Sequence, residues 1–377
     1  MAEKAPNLYD TYIIDGIHQA MTPAQLLQEC TVEGALPPSA GSGTVADESV
    51  DIAPTPFDFH EEDIDAYADA VSRLPRQPFP LPFSAQLTRG RIAKALIDAL
   101  WMGGHFRLGD LVIKADWRWN DGKIGNLAAF YASVEAAAEY IDALGLRLGE
   151  VRVSGSALCA PSFKASTTSE EEAPSEEEDS LIREIPFRTS HPRISRRRAC
   201  PASIQEETTD WLLYIPFDTC DFRLGGSRLA AATGAHRGTA PEIGDADYFI
   251  DSFEVVRELV EDGVVKAGAT VLEGGLLHAL RGMAQVHGTD VSIGDIRKAY
   301  GDELPIRVLF GEVPGVIIQI ADIDYDYVDA ELLLQDIAYF PLGHPVPGRA
   351  SVTVLPGDTG GIAGILESLL NTLEGED

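Results

Sequence analysis

The sequence is poor in positive charge. Of its 377 residues, 29 are Lys or Arg and 60 are Asp or Glu, which leaves a formal net charge of −31. A nucleic-acid or anionic-membrane partner needs a basic surface to neutralise phosphates, so no nucleic acid and no membrane is expected among the partners. Cysteine is scarce as well. Cys30, Cys159, Cys200 and Cys220 form no CxxC pair; they are too few and too scattered for a disulfide framework and fit a reducing compartment. No run approaches 18 apolar residues, so no transmembrane helix is expected. The N-terminus MAEKAPNLYD lacks the apolar stretch of a signal peptide. The expected location is cytoplasmic. The eight histidines make no HxH or HExxH, which argues against zinc catalysis, and no GxSxG nucleophile elbow is present. What remains is a globular composition, 45% hydrophobic, with length for roughly two domains.

The charge is unevenly placed. Seven of the ten residues from Glu170 to Asp179 are acidic, a block that cannot bury enough surface to offset its ordering entropy. Arg193, Arg196, Arg197 and Arg198 follow closely. The two clusters read as a solvated linker, as a docking strip or as an anion site. A second flexible stretch, LPPSAGSGTVADES, spans Leu36 to Ser49. These cuts predict an N-terminal extension over 1–49, a folded unit over 50–165, a linker over 166–205, a second folded unit over 206–350 and a tail over 351–377.

Periodicity gives the elements. Arg89 to Trp101 and Leu127 to Leu144 are apolar at helical spacing and stop at Gly103-Gly104 and Gly145. Leu111 to Asp116, Val151 to Gly155, Trp211 to Ile215 and Val316 to Ala321 read as strands, and Phe249 to Glu261 as an amphipathic helix. Strands and helices alternate, so the fold class is α/β or α+β. Trp117 and Trp119 alternate onto one strand face, as a stacking platform or as a sheet or oligomer interface.

The glycine-to-helix turns carry the chemical signal. Glycine lets backbone approach a ligand closely, and helix N-terminal N–H groups suit phosphate. Such turns occur at Gly225-Gly226-Ser227, at Glu273-Gly274-Gly275 and at Gly360-Gly361. None matches a P-loop or a dinucleotide fingerprint; tight helix packing is the competing reading. Acids near the turns, Asp218, Asp221, Asp245, Asp247 and Glu273, are candidate Mg²⁺ ligands, though most of the 60 acids must serve solvation. His278, inside an apolar helix, reads as a packed or half-exposed residue rather than a base.

The order of these motifs resembles a known family. Gly268 to Ala284 (GATVLEGGLLHALRGMA) is similar to the "S/D-x-GGLL-x-AL-x-EMA" helix of the aminoimidazole ribonucleotide synthase-like superfamily, and most to its phosphoribosylformylglycinamidine synthase branch. Leu309 to Gln319 (LFGEVPGVIIQ) resembles "LFSE-x-PGR-x-LV", Leu224 to Ser227 resembles the "LGGSE" turn, and Tyr339 to Gly343 the closing "IG" strand. In the first half, Arg91 to Gly104 and Gly125 to Ser156 resemble the family's two helices and the "PVVSGNVS" strand. The similarity covers about 60–160 and 206–350 in collinear order.

The resemblance implies an N-terminal sheet domain that dimerises and a C-terminal α+β domain. It implies ATP and Mg²⁺ as cofactors and ATP-dependent amidation of a ribonucleotide amide in purine biosynthesis, a carbon–nitrogen ligase reaction. Gly225, Gly226, Ser227, Gly274 and Gly275 would surround the phosphates, Glu273 and Asp221 the metal. The partners implied are a small-molecule nucleotide substrate, a second copy in a homodimer, and a separate glutaminase subunit, since the chain holds one two-domain unit and no glutaminase domain. The chain also departs from the pattern. "HD-x-S-x-GG" appears as Ala269-Thr-Val-Leu272-Glu273-Gly-Gly, without His and Asp, and "GNVS-x-YNE" as Gly155-Ser156-Ala157-Leu158, without Asn. The alternative expectation is therefore a non-catalytic relative, acting as a nucleotide-binding or scaffold protein. A third is an unrelated acidic interaction protein.

Overall fold

The structure is a computed structural model and describes residues 4–39, 41–51, 59–60, 63–75, 79–167, 193–235, 238–301 and 303–355. The acidic run Glu170–Asp179 and the Gly360-Gly361 turn lie outside these residues. The fold is a mixed α/β arrangement, as expected, with ten α-helices among the described residues.

The first half is built on strand β5 (Leu111–Trp119), flanked in parallel by β6 (Arg147–Gly155) and in antiparallel by β7 (Ala160–Thr167). Helix α4 (Asn126–Ala143) makes the crossover from β5 to β6, and α3 (Ser84–Leu100) packs beside it. The alternation along β5 sets the two faces. Leu111, Ile113, Ala115, Trp117 and Trp119 point into the core. Both indoles are fully buried. Trp117 Nε1 donates to Ser133 Oγ at 2.9 Å and Trp119 Nε1 to the Asn126 carbonyl at 2.8 Å, so these residues are core and form neither a stacking platform nor an interface.

The opposite face is charged. Lys114 lies across from Glu150, and Asp116 across from Arg152, with Arg118 ion-paired to Asp116 at 3.6 Å.

The residues expected to form an N-terminal extension are part of the fold. β1 (Thr11–Ile14) pairs in parallel with β3 (Thr44–Asp47) and in antiparallel with β2 (Ile17–His18). Helix α1 (Pro23–Gln28) packs on α4 through Ala24 and Leu27, and Leu8 and Tyr12 join the same core. The backbone at Cys30, Val32 and Ala35 hydrogen-bonds along the open edge of β6, which closes an edge that would otherwise invite association. The stretch expected to be flexible contains β3, and its Asp47 carboxylate accepts the N–H groups of Gly125, Leu127 and Ala128 at 2.8 to 3.1 Å. Asp47 is thus the N-terminal cap of α4, supplied from 78 residues earlier in the chain.

The second half centres on an antiparallel sheet in the order β10-β12-β9-β13: Val265–Val271, Gly315–Ile320, Trp211–Pro216 and Phe340–Gly343. Every residue of β12 is buried, which is why its apolar run is continuous rather than alternating. One face of the sheet, with Leu213, Ile215, Val316 and Ile318, shares a core with α3 and α4 of the first half. The other, with Leu212, Tyr214 and Ile317, packs on the C-terminal helices. That second core includes α2 (Ile64–Arg73), α5 (Arg228–Thr233), α7 (Gly275–Met283) and α9 (Pro305–Phe310), whereas α6 (Ala246–Glu261) packs in the first. Helix α8 (Gly294–Ala299) links β11 (Gly288–Val291) to α9.

Part of the expected linker is ordered. β8 (Arg193–Arg198) pairs in antiparallel with β4 (Met102–His105). Arg198 donates to the Gly268 carbonyl at 2.7 Å and lies over the Trp101 ring, a packing role that the charge cluster alone did not suggest. Part of the expected tail is ordered too: β15 (Val352–Val354) pairs in parallel with β11, which also pairs with β14 (Pro345–Val346).

Candidate functional site

Both glycine turns are formed and they meet. Ser227 is the N-cap of α5: its Oγ accepts from Ala230 N at 3.2 Å and donates to the Leu224 carbonyl at 2.8 Å. Gly274, at φ +85°, opens α7 in the left-handed region, where a side chain would be strained. Packing also demands these glycines. A Cβ on Gly225 would come within 2.5 Å of the Thr239 backbone, and one on Gly275 within 2.6 Å of the Leu309 carbonyl oxygen. Tight packing therefore explains the glycine at 225 and at 275 without a ligand.

The group that joins the turns is Glu312. Its Oε1 accepts from Arg228 N, at the start of α5, and from Gly274 N, before α7, both at 2.8 Å. One carboxylate thus satisfies an orphan donor at each of two helix starts. Burial raises its pKa from 4.5 to about 7, against the two backbone hydrogen bonds, which lower it.

A cavity of about 100 Å³ opens beside this brace, lined by Phe79, Arg91, Gly226, Arg228, Glu273 and Glu312, among others. Arg91 comes from α3 in the first half. Its guanidinium donates to the Pro161 carbonyl at 2.7 Å and stacks 4.7 Å from the Phe79 ring centroid. Burial lowers its pKa, while Glu273 and Glu312 act in the opposite sense. Arg228 fastens the site to α2 by donating to the Val71 and Leu74 carbonyls, each at 3.1 Å. His278 sits on α7 behind Gly274, half-buried as expected, with its pKa lowered by burial and by the nearby Arg228.

The candidate residues are only partly brought together. Gly225, Gly226, Ser227 and Glu273 line the cavity; Gly274 touches it through the hydrogen bond to Glu312, and Gly275 faces the Leu309 backbone. Asp221 is elsewhere. It is paired with Arg223 at 2.6 Å and lines a separate acidic hollow of about 460 Å³ with Asp218 and Asp245. Two of the other acids near the turns have structural duties. Asp218 accepts from the backbone of Cys220, Gly244 and Asp245, and Asp245 caps α6 through Tyr248 N. Among the described residues no three His, Cys, Asp or Glu side chains converge as a metal site would require. Arg91 and Glu312 were not singled out from the sequence as site residues. The available signals were a lone acid in the apolar run from Leu309 to Ile318 and an Arg directly beside Ile92 and Ala93, which are buried.

No family model matches the chain. Curated proteins align with part of it. The probable phosphoribosylformylglycinamidine synthase of Arabidopsis thaliana is 28% identical over 159 residues, 40% of this chain and 11% of that protein. The Drosophila melanogaster enzyme is 31% identical over 130 residues, 31% of this chain and 9% of that protein. The chain is similar to phosphoribosylformylglycinamidine synthases. The matched region is about a tenth of the length of these relatives. Among solved structures, Thermotoga maritima PurL complexed with ATP aligns at a TM-score of 0.45 with 12% identity, over 78% of this chain and 40% of that one. E. coli HypE, a hydrogenase maturation protein, aligns at 0.43 with 15% identity, over 74% and 77%. No helix among the described residues is long and apolar enough to cross a membrane.

Proposed function

We propose that this relative of the phosphoribosylformylglycinamidine synthases binds the phosphate end of a nucleotide such as ATP in the cavity between α3 and the two glycine turns. The observation that carries the reading is the placement of Arg91, a mostly buried cation, in the same cavity as Gly225, Gly226 and Ser227. A guanidinium is a donor suited to a phosphoryl group. It is the donor on which the reading rests, since the N–H groups of Gly225, Ser227 and Arg228 already bond Thr239 O, Leu224 O and Glu312 Oε1. About 100 Å³ accommodates one such group, whereas whole-ligand pockets run to roughly 300–1,000 Å³, so the remainder of the nucleotide would lie at the mouth. Glu273 and Asp221 line different hollows and do not fit a shared Mg²⁺.

ATP-dependent amidation of a ribonucleotide amide, drawing ammonia from a separate glutaminase subunit, is the activity that the resemblance implies. One observation favours the binding-only alternative. Where the family pattern has His and Asp, this chain has Ala269 and Thr270, and Thr270 Oγ1 is committed to Trp101 Nε1 and Asp98 Oδ1; where the pattern has Ser, it has Leu272, 6% exposed. Neither position carries the imidazole or the carboxylate of the pattern. Calorimetric titration of Mg-ATP and of formylglycinamide ribonucleotide, with an amidation assay supplied with ammonia, tests both readings. ATP should bind, and Arg91→Gln should weaken it at least tenfold. No binding of either ligand would overturn the proposal, and turnover would overturn the binding-only alternative.

A further inference from the structure

Helix α10 (Tyr325–Leu334) packs on α6 by burying Val328 and Leu332. Its outer side is not polar, as a solvent-facing helix side would be. Ile323, in the turn that opens the helix, is 88% exposed, Tyr327 44%, Leu333 63% and Leu334 75%. Positions 323, 327, 330 and 334 follow a spacing of four, three and four, so Ile323, Tyr327, Ala330 and Leu334 form one continuous ridge. Over 11 residues that ridge is roughly 16 Å long. Scattered exposed apolar residues need no account, but a contiguous stripe marks a binding surface.

The rim decides the occupant. From Asp322 to Ala338 the chain holds six acids and no Lys or Arg. Glu258 of α6 and Asp262, which follows that helix, also face Tyr327. A second copy would bring the same acidic rim against itself, and an anionic lipid surface would be repelled. We propose that the α10 ridge docks an amphipathic helix of a protein partner, one whose apolar stripe is flanked by Lys and Arg. The apolar contacts would supply affinity, and the rim would set orientation and partner choice.

A labelled 18-residue helical Leu/Lys peptide, with its Leu/Glu counterpart as control, tests this by fluorescence anisotropy on the full chain. The Leu/Lys peptide should bind and the Leu/Glu peptide should not. The double substitution Ile323→Ser and Leu334→Ser leaves the charge unchanged at exposed positions. It should weaken binding at least tenfold while the melting temperature stays put. If that variant does not fold, Tyr327→Ser replaces it with the same expectation. Hydrogen exchange should show peptide-dependent protection over 322–336. Equal affinity in parent and variant, which would mean attraction by charge alone, overturns the proposal. So does protection confined to another surface, or self-association of the parent that the variant loses.

Discussion

Replacing Glu312 by Gln tests whether this carboxyl is a buried brace with a displaced titration. The group ionises near pH 4.5 when unperturbed and at about 7 in the folded protein. At about 1.4 kcal/mol per pH unit, the gap corresponds to about 3 kcal/mol. Below about pH 4.5 the group is protonated in both states and costs the fold nothing. As the pH rises through that value, the unfolded chain loses its proton freely while the folded chain retains it. Folding stability therefore falls until the folded carboxyl ionises near pH 7, and levels off above. Glutamine keeps the Oε1 acceptor for Arg228 N and Gly274 N and cannot ionise.

Urea unfolding of both proteins between pH 5 and 8 is the assay. The advantage of the parent over Glu312→Gln should shrink by most of that 3 kcal/mol across this range, at unchanged m-value. Parallel pH profiles would refute the reasoning. Glu312→Ala differs in kind, because it leaves two N–H groups without their acceptor. It should cost about 1–3 kcal/mol per group at every pH.

Asp47→Ala removes the side-chain cap of α4, made by three backbone donors; a loss of about 1–2 kcal/mol is expected in thermal or urea unfolding, and no change would make the cap incidental. Light scattering at micromolar concentration should find no dimer formed across the charged face of β5, β6 and β7; a dimer abolished by Arg118→Glu would show that this face is an interface after all.

The long periodic elements were legible because their burial is repetitive. Helix α4 buries Leu127, Phe130, Val134, Ala137 and Ile141 at helical spacing, and β12 is apolar throughout. The N-terminal sheet was not legible, since β1 and β3 are four residues each and β3 sits among Gly and Ser. β8 reads as a run of Arg because its strand character comes from backbone pairing with β4, which side chains do not announce. At the site, each turn was visible as local glycine chemistry. Their common partner was not, because Glu312 lies 84 residues from Arg228 and 38 from Gly274. The pairing of Glu273 with Asp221 failed for the same reason: proximity to a glycine turn in sequence does not fix which hollow a side chain enters.

The seam between the halves bears on how the cavity works. Arg91 arrives from the first half and the glycine turns from the second, so a ligand there would bridge both. These halves are not hinged modules: one continuous core runs from Leu96 and Phe130 to Phe249, Val316 and Ile318. Arg257, 1% exposed, donates to the Leu100, Met102 and Gly104 carbonyls and lies over the Phe106 ring. Trp101 Nε1 donates to Thr270 Oγ1 at 2.9 Å. The fit is close even at Gly90, beside Arg91 in the chain, where an added Cβ would lie 3.1 Å from Ile243 Cδ1. Separating the halves would expose this core and leave buried polar groups unpaired, a cost far above that of a side-chain rearrangement. Any widening of the cavity must therefore come from side chains at its rim, among them Leu74 and Phe79. With the halves locked together, the cavity keeps its volume of about 100 Å³.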